Sequence, residues 1–351
     1  MKFKKLISLV MVMTMVASTF IGCSTDKKSD TTNEATNTPA ATDAAEPSGN
    51  GTTDSEDTFK VAFLPTDMSK TFASWLADEL TTAFKTYDDM ELTVIDSKNE
   101  LETQINNMET CVAQGYDYII LLPIEPAAED DFVAGYIERG IPVMMINLDD
   151  FGVEKASSVI ANPYDLGTVV AEYAKTQLAD DANAVVLLGP SGNTDSIERR
   201  RAYEEKLFSQ TTIKILDEQI GGWEKGKGME LMENWIQVHG DKIDAVISMN
   251  DAMAIGAYEA AKEAGIQDNI KFFGVDGLAD AAIAINGGEM TATALQDAKV
   301  MAEEGARICH EILTGANSDR FEKVQIPVTL ITKDNVSEFI TRYTENGMIS
   351  K

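Results

Sequence analysis

Histidine is nearly absent from this chain: His239 and His310 are the only two. They fall on separate predicted helices, so a histidine-based metal site or a histidine-dependent catalytic triad has little to be built from. Cysteine is almost as scarce, at 3 in 351 residues, and no C-x-x-C occurs. Positive charge is the third shortage. Against 58 Asp and Glu stand 29 Lys and Arg, a formal net charge of −29, which excludes a nucleic-acid partner, since that needs a basic face. No G-x-G-x-x-G, G-x-S-x-G, H-E-x-x-H or D-x-[DN]-x-[DN]-G is present. The stretch Gly221 to Gly228, "GGWEKGKG", approaches a phosphate loop, but Gly228 stands where the magnesium-holding hydroxyl belongs, so it reads as a strand-to-helix turn. The site residues therefore imply no metal and no cofactor.

What is there begins with a targeting segment, residues 1–22. Lys2, Lys4 and Lys5 form a basic start, and Leu6 to Phe20 an apolar run short for a bilayer span. Ile21-Gly22-Cys23 resembles a bacterial lipoprotein cleavage site, with Cys23 as lipid anchor; the alternative is ordinary secretion with a spare thiol. Either places the protein outside the cytoplasm. Residues 23–57 are rich in Thr, Asp, Ala, Asn, Ser and Gly, and read as a disordered tether. Cys111 and Cys309 sit in apolar helical contexts, which suits buried free thiols or a single disulfide.

From Phe59 onward short apolar strands alternate with amphipathic helices: "KVAFLP", a helix from about Thr71 to Tyr87, "LTVID", a helix Glu100 to Gln114, "YIILLP", a helix Pro126 to Arg139, "VMMIN". After "SSVIA" the alternation restarts, through "AVVLLG", "KILDEQI", "AVISM" and "KFFGV". The fold class is α/β, two doubly wound parallel-sheet domains in succession. Ligands bind beyond the carboxyl ends of such strands, so two facing domains bring their polar loops into one cleft. Asn250 and Asp276 end two of these strands, and Asp251 is expected to cap the helix after the first.

Other candidates lie in equivalent loops. Asp195 and Arg199, four apart at a helix start, share one face. The pair reads either as a cap salt-bridged to its own helix or as a guanidinium fork preorganised for hydroxyls. Trp223, in a glycine turn, and Phe72, in the matching turn of the first unit, are either core residues or flat faces for a sugar ring.

"PVMMIN" with "ANPYDLG", "GNTDSIERRRAY", "MNDAMAIGA", "FFGVDG" and "TATALQD" occur in the order and spacing of the periplasmic sugar-binding proteins of ABC importers. The chain resembles their ribose- and galactose-binding type over about Phe59 to Ile331. The resemblance implies two lobes, 58–161 with 297–328 and 162–296 with 329–351. They are joined by a three-segment hinge near Ala161–Asn162, Gln296–Asp297 and Val328–Ile331, and a final helix of about Val336 to Tyr343 packs on the second lobe. It also implies that Phe72 and Trp223 sandwich a ring while Asn147, Asp195, Arg199, Asn250, Asp276 and Gln296 bond its hydroxyls, with Asn193 a further polar contact. Two positions depart from the pattern. Lys70 stands where an acceptor is usual and donates only, either to a ring oxygen or to an anionic group on the ligand. Asn162-Pro163 replaces Asp-Asn and is expected to alter the hinge or cleft rim.

The reading that follows is a monomeric, non-enzymatic solute-binding lipoprotein delivering a monosaccharide or cyclic polyol to an ABC permease. A ligand sensor feeding a membrane receptor is the first rival. A glycoside-cleaving enzyme using Asp195 and Asp276 is the second, opposed by the expectation that Arg199 keeps Asp195 ionised.

Overall fold

Residues 58–148 and 152–350 are described by the computed structural model. The signal segment, Cys23 and the tether lie outside these residues. Sequence order gives β1 (Phe59–Leu64), α1 (Thr71–Phe84), β2 (Met90–Val94), α2 (Leu101–Ala113), β3 (Tyr118–Leu121), α3 (Pro126–Glu138), β4 (Val143–Ile146) and β5 (Ser157–Ile160). The chain continues through α4 (Pro163–Gln177), β6 (Asn183–Leu188), α5 (Thr194–Lys206), β7 (Lys214–Ile220), α6 (Lys225–His239), β8 (Ala245–Ser248), α7 (Asp251–Glu263), β9 (Lys271–Asp276), α8 (Ala279–Gly287) and β10 (Ala292–Leu295). It ends with α9 (Ala298–Leu313), β11 (Lys323–Gln325), β12 (Thr329–Thr332) and α10 (Val336–Glu345).

Two six-stranded sheets result, ordered β11-β5-β4-β3-β1-β2 and β12-β10-β9-β8-β6-β7. All pairs are parallel except β10 with β12. Central strands such as β3, β4 and β8 are buried at every residue, as a sheet covered on both faces requires. Helix α9 shows how the cover is encoded. Ala298, Met301, Ala302, Gly305, Ala306, Cys309 and Ile312 recur at helical spacing and are buried, and the helix lies against α1, β4 and β5. On the other face of the first sheet, Ala62, Leu64, Ile119, Leu121 and Met145 form a second core with Met108, Val133 and Tyr136 of α2 and α3. Cys111 and Cys309 are buried and unbridged.

The chain passes between the sheets three times: from β5 to α4, from β10 to α9, and from β11 to β12. The last passage falls at residues 326–328, because Thr329, Leu330 and Ile331 already pair with β10; the extended linker is shorter than the sequence suggests. At the first passage Asn162 caps α4, accepting from the backbone N–H of Tyr164 and Asp165, with Pro163 as the first helical residue. Helix α10 rests on α8, and its Tyr343 also meets Trp75 of α1 edge-on at 6.1 Å.

One local reading is corrected. Helix α7 is capped by Asn250, whose side-chain oxygen accepts from Met253 N at 3.0 Å. Asp251 is fully buried one position later and faces inward, accepting from Thr293 Oγ1 at 2.6 Å and Leu278 N at 2.9 Å. Its carboxylate ties the ends of β9 and β10 together. That role is invisible in sequence because both partners are distant along the chain.

Candidate functional site

A cavity of about 810 Å³ lies between the strand ends of the two sheets. Lys70, Phe72, Asn147, Asn193, Asp195, Arg199, Trp223, Asn250, Asp276 and Gln296 all line it. They come from the ends of seven strands, β1, β4, β6, β7, β8, β9 and β10, and from the connections and helix starts that follow them. Each strand end delivers one to three polar or aromatic groups to a common space, as expected where strands end at a crevice.

Arg199 is the centre of the polar cluster, with its side chain 3% exposed. Nη1 donates to the backbone oxygen of Met249 at 2.7 Å and Nη2 to Gln296 Oε1 at 2.8 Å. Asp195 and Asp276 stand at 3.8 Å from the guanidinium. That distance is too long for hydrogen bonds, so the arginine supplies charge without consuming the carboxylates' acceptor capacity. Its Nε is buried with no partner. The guanidinium also lies over Trp223, 5.5 Å from the ring centroid.

Asn147 faces this cluster from the other lobe. Its Nδ2 donates to Asp195 Oδ2 at 3.1 Å, while its Oδ1 is buried and unpaired. Asn147 Oδ1 and Arg199 Nε are thus one acceptor and one donor that the protein itself leaves unmatched, at a cost of about 1–3 kcal/mol each. Asn193 and Asn250 are less free. Asn193 accepts from Ser196 N as the cap of α5, and Asn250 caps α7 while its Nδ2 reaches Trp223 O at 3.3 Å.

The backbone is strained where it meets the cavity. Asn147 (φ 62°), Trp223 (φ 69°) and Asp276 (φ 124°) have positive φ, tolerable for Asn and costly for the others. Trp223 packs closely on Gly189: a Cβ there would sit 2.2 Å from its ring. Glycine at 189 therefore leaves room for the indole in its place at the cavity wall.

Burial raises the pKa of Asp195 above the usual carboxylate range, although Arg199 and Asn147 pull it down. Asp276 is raised further, by burial and by neighbouring Asp251 and Asp195, against the opposing charge of Arg199. Arg199 thus favours the ionised carboxylate, as expected, but burial outweighs it and the net shift is upward. Pairing as loose as 3.8 Å does not offset the partial loss of water around this carboxylate.

Lys70 is engaged within the protein. Its Nζ lies 2.7 Å from Glu224 Oε1, across the cleft. Glu224, the whole turn from β3 into α3, Thr66 and Asn99 escaped sequence reasoning. Leu122, Pro123, Ile124, Glu125 and Pro126 line the cavity, yet as ordinary loop residues they carry no distinguishing pattern. Among the described residues no cluster of His, Cys, Asp and Glu is arranged to hold a metal ion, and no helix is long and apolar enough to cross a membrane.

A family described as "periplasmic binding protein domain" matches residues 61–317. The putative rhizopine-binding protein of Rhizobium meliloti is 30% identical over 275 residues, covering 76% of this chain and 88% of that protein. The xylitol-binding protein of Mycolicibacterium smegmatis is 28% identical, covering 71% and 70%. Among solved structures, an ABC transporter solute-binding protein from Bacillus halodurans with bound myo-inositol superposes with a TM-score of 0.77. It is 25% identical, and the match covers 83% of this chain and all of that one.

Proposed function

This chain belongs to the periplasmic binding protein domain family, and from that premise we propose that it is the solute-binding lipoprotein of an ABC importer, taking up a monosaccharide or cyclic polyol by hinge closure. The observation that carries the reading is the convergence of seven strand ends on one cavity between the lobes. There, aromatic faces of Phe72 and Trp223 accompany Asn147, Asp195, Arg199, Asn250, Asp276 and Gln296. Hydroxyls on a ring match this mixture, because each donates and accepts, and carboxylates beside a buried guanidinium can take several at once. The relatives whose names specify xylitol and rhizopine, and the structure holding myo-inositol, support a polyhydroxylated ligand.

The finer parts rest on the sequence. Cys23 carries the proposed lipid anchor, and an unmodified mass for the peptide beginning at Cys23 would refute it. A permease partner, a monomeric state and the absence of bond-making chemistry follow from the importer reading; co-purification with a sensor kinase in place of a permease would favour the rival.

Calorimetry with D-ribose, D-galactose, xylitol, myo-inositol and their acidic counterparts tests the ligand class. At least one neutral probe is expected to bind, and Asp276→Ala to weaken it by ten-fold or more, since removing an acceptor from a desolvated hydroxyl costs about 1–3 kcal/mol. Undiminished binding by that variant would overturn the site assignment. The raised pKa values of Asp195 and Asp276 give a glycoside-cleaving reading one point of support. Loss of a glycoside probe to hydrolysis on prolonged incubation would establish it; chemically unchanged recovery removes it.

A further inference from the structure

Among the described residues two polar contacts join the opposite lobes across the cleft. One, Asn147 to Asp195, is at the polar cluster. The other is the ion pair of Lys70 with Glu224 at 2.7 Å, with side chains 18% and 61% exposed. Lys70 lines the cavity, whereas Glu224 stands beside it. The two residues hold equivalent places. Lys70 is the N-cap residue of α1, two before Phe72, and Glu224 is the N-cap residue of α6, directly after Trp223. Neither side chain caps its own helix.

The charges of these two positions are not equally at home. A carboxylate at a helix N-terminus lies with the helix dipole, and an ammonium lies against it. An unpaired Lys70 at the start of α1 would join an ammonium to the positive end of a helix inside the cavity, which is the recipe for an anion site. Glu224 reaches across from the other lobe and cancels it. With that pair neutralised, the ionisable groups left on the cavity wall are the carboxyls of Glu125, Asp195 and Asp276 and the guanidinium of Arg199, whose Nη donors are spent on Met249 O and Gln296, so no free ammonium remains to receive a carboxylate or phosphate.

We propose that Glu224 sets the charge selectivity of this site: by pairing with Lys70 across the cleft mouth it makes closure favour uncharged polyols and excludes sugar acids. The inference rests on the polyol-binding reading above and adds to it a residue and a ligand class. Lys70 then acts as half of an interlobe latch, and not as the receptor of an anionic group.

The test uses the full chain and calorimetry with matched probes: D-galactose and D-galacturonate, D-glucose and D-glucuronate, with xylitol and myo-inositol as further neutral compounds. The parent should bind at least one neutral probe and prefer it to its acid. In Glu224→Gln the neutral affinity should fall by a few-fold, the size expected of a partly exposed ion pair, and lose part of its salt dependence. The ratio of acid to neutral affinity should rise by roughly ten-fold or more, as the freed ammonium finds a carboxylate. The exchanged pair, Lys70→Glu with Glu224→Lys, should recover neutral binding without the gain in acid binding, a rescue that a merely structural role for Glu224 does not predict. An unchanged acid-to-neutral ratio in Glu224→Gln overturns the proposal, and so does a parent that prefers the acid. If the folded parent binds neither neutral nor acidic probes, the polyol reading itself fails and this inference fails with it. Neutral binding with an unaltered ratio sinks the inference alone.

Discussion

Glu129 illustrates how a residue outside the cavity lining braces part of its wall. Its side chain is fully buried, Oε1 accepts from Ile124 N at 3.3 Å, and Oε2 has no hydrogen-bond partner. Ile124 belongs to the turn that lines the cavity, and Gln104 braces the same turn through bonds to Leu64 O, Leu122 O and Ile124 N. Burial pushes the Glu129 carboxyl up to about 7, with backbone N–H groups of Ile124 and Glu125 opposing. The folded state therefore holds the proton more tightly than the unfolded chain does. Its contribution to stability is complete below the ordinary carboxylate range and is lost as pH rises through about 7. Between pH 5 and 8 that amounts to a loss of up to roughly 3 kcal/mol. Glu129→Gln, which mimics the neutral acid, should flatten this dependence and melt higher than the parent at pH 8, with little difference at pH 5. Equal melting temperatures at pH 8 would show that Glu129 reaches water when ionised.

At the scale of elements, the position of Trp223 and Glu224 depends on how closely α6 approaches α7. The two helices meet through glycines. A Cβ on Gly256 would lie 2.1 Å from Lys225 O and 3.0 Å from Met229 N, and one on Gly228 would lie 2.5 Å from Met253 O. These are backbone atoms, so the clash is relieved only by moving a helix. Gly256→Ala should cost about 1–3 kcal/mol by overpacking, measured as a lower urea midpoint at constant slope. It should also weaken polyol binding, because the turn carrying Trp223 leads directly into α6. Full stability in that variant would mean the helices part without cost. Gly228 is thus explained by packing, in line with reading its glycine-rich stretch as a turn and not as a phosphate loop.

For the whole molecule, three connections and two cross-cleft contacts suggest a body with one main degree of freedom. The passages β5 to α4, β10 to α9 and β11 to β12 lie along one edge of each sheet, which permits rotation about that edge while each lobe keeps its core. A ligand that touches both walls stabilises the closed arrangement only by its differential affinity for it. Small-angle scattering should show a smaller radius of gyration when a calorimetric hit is added than without it. An unchanged profile at saturation would argue against hinge closure. Arg342 supports the edge itself, donating to both oxygens of Asp297 at 2.7 and 2.6 Å where the second passage enters α9.

The sequence by itself determined the alternation of buried strands and amphipathic helices, hence two parallel sheets, and it named polar residues at the strand ends. Period and burial pattern are local properties, and a strand end is where a parallel sheet places its loops. That Lys70 meets Glu224, that Arg199 spends two donors on Met249 O and Gln296, and that Asp251 joins β9 to β10 were decided by tertiary structure alone. Each of these partners lies far along the chain or is a backbone carbonyl without a sequence signature. The pKa of Asp195 belongs with them. Sequence shows an arginine four residues on, whereas only the fold fixes how much water is lost and that the guanidinium stops at 3.8 Å, and desolvation then outweighs attraction.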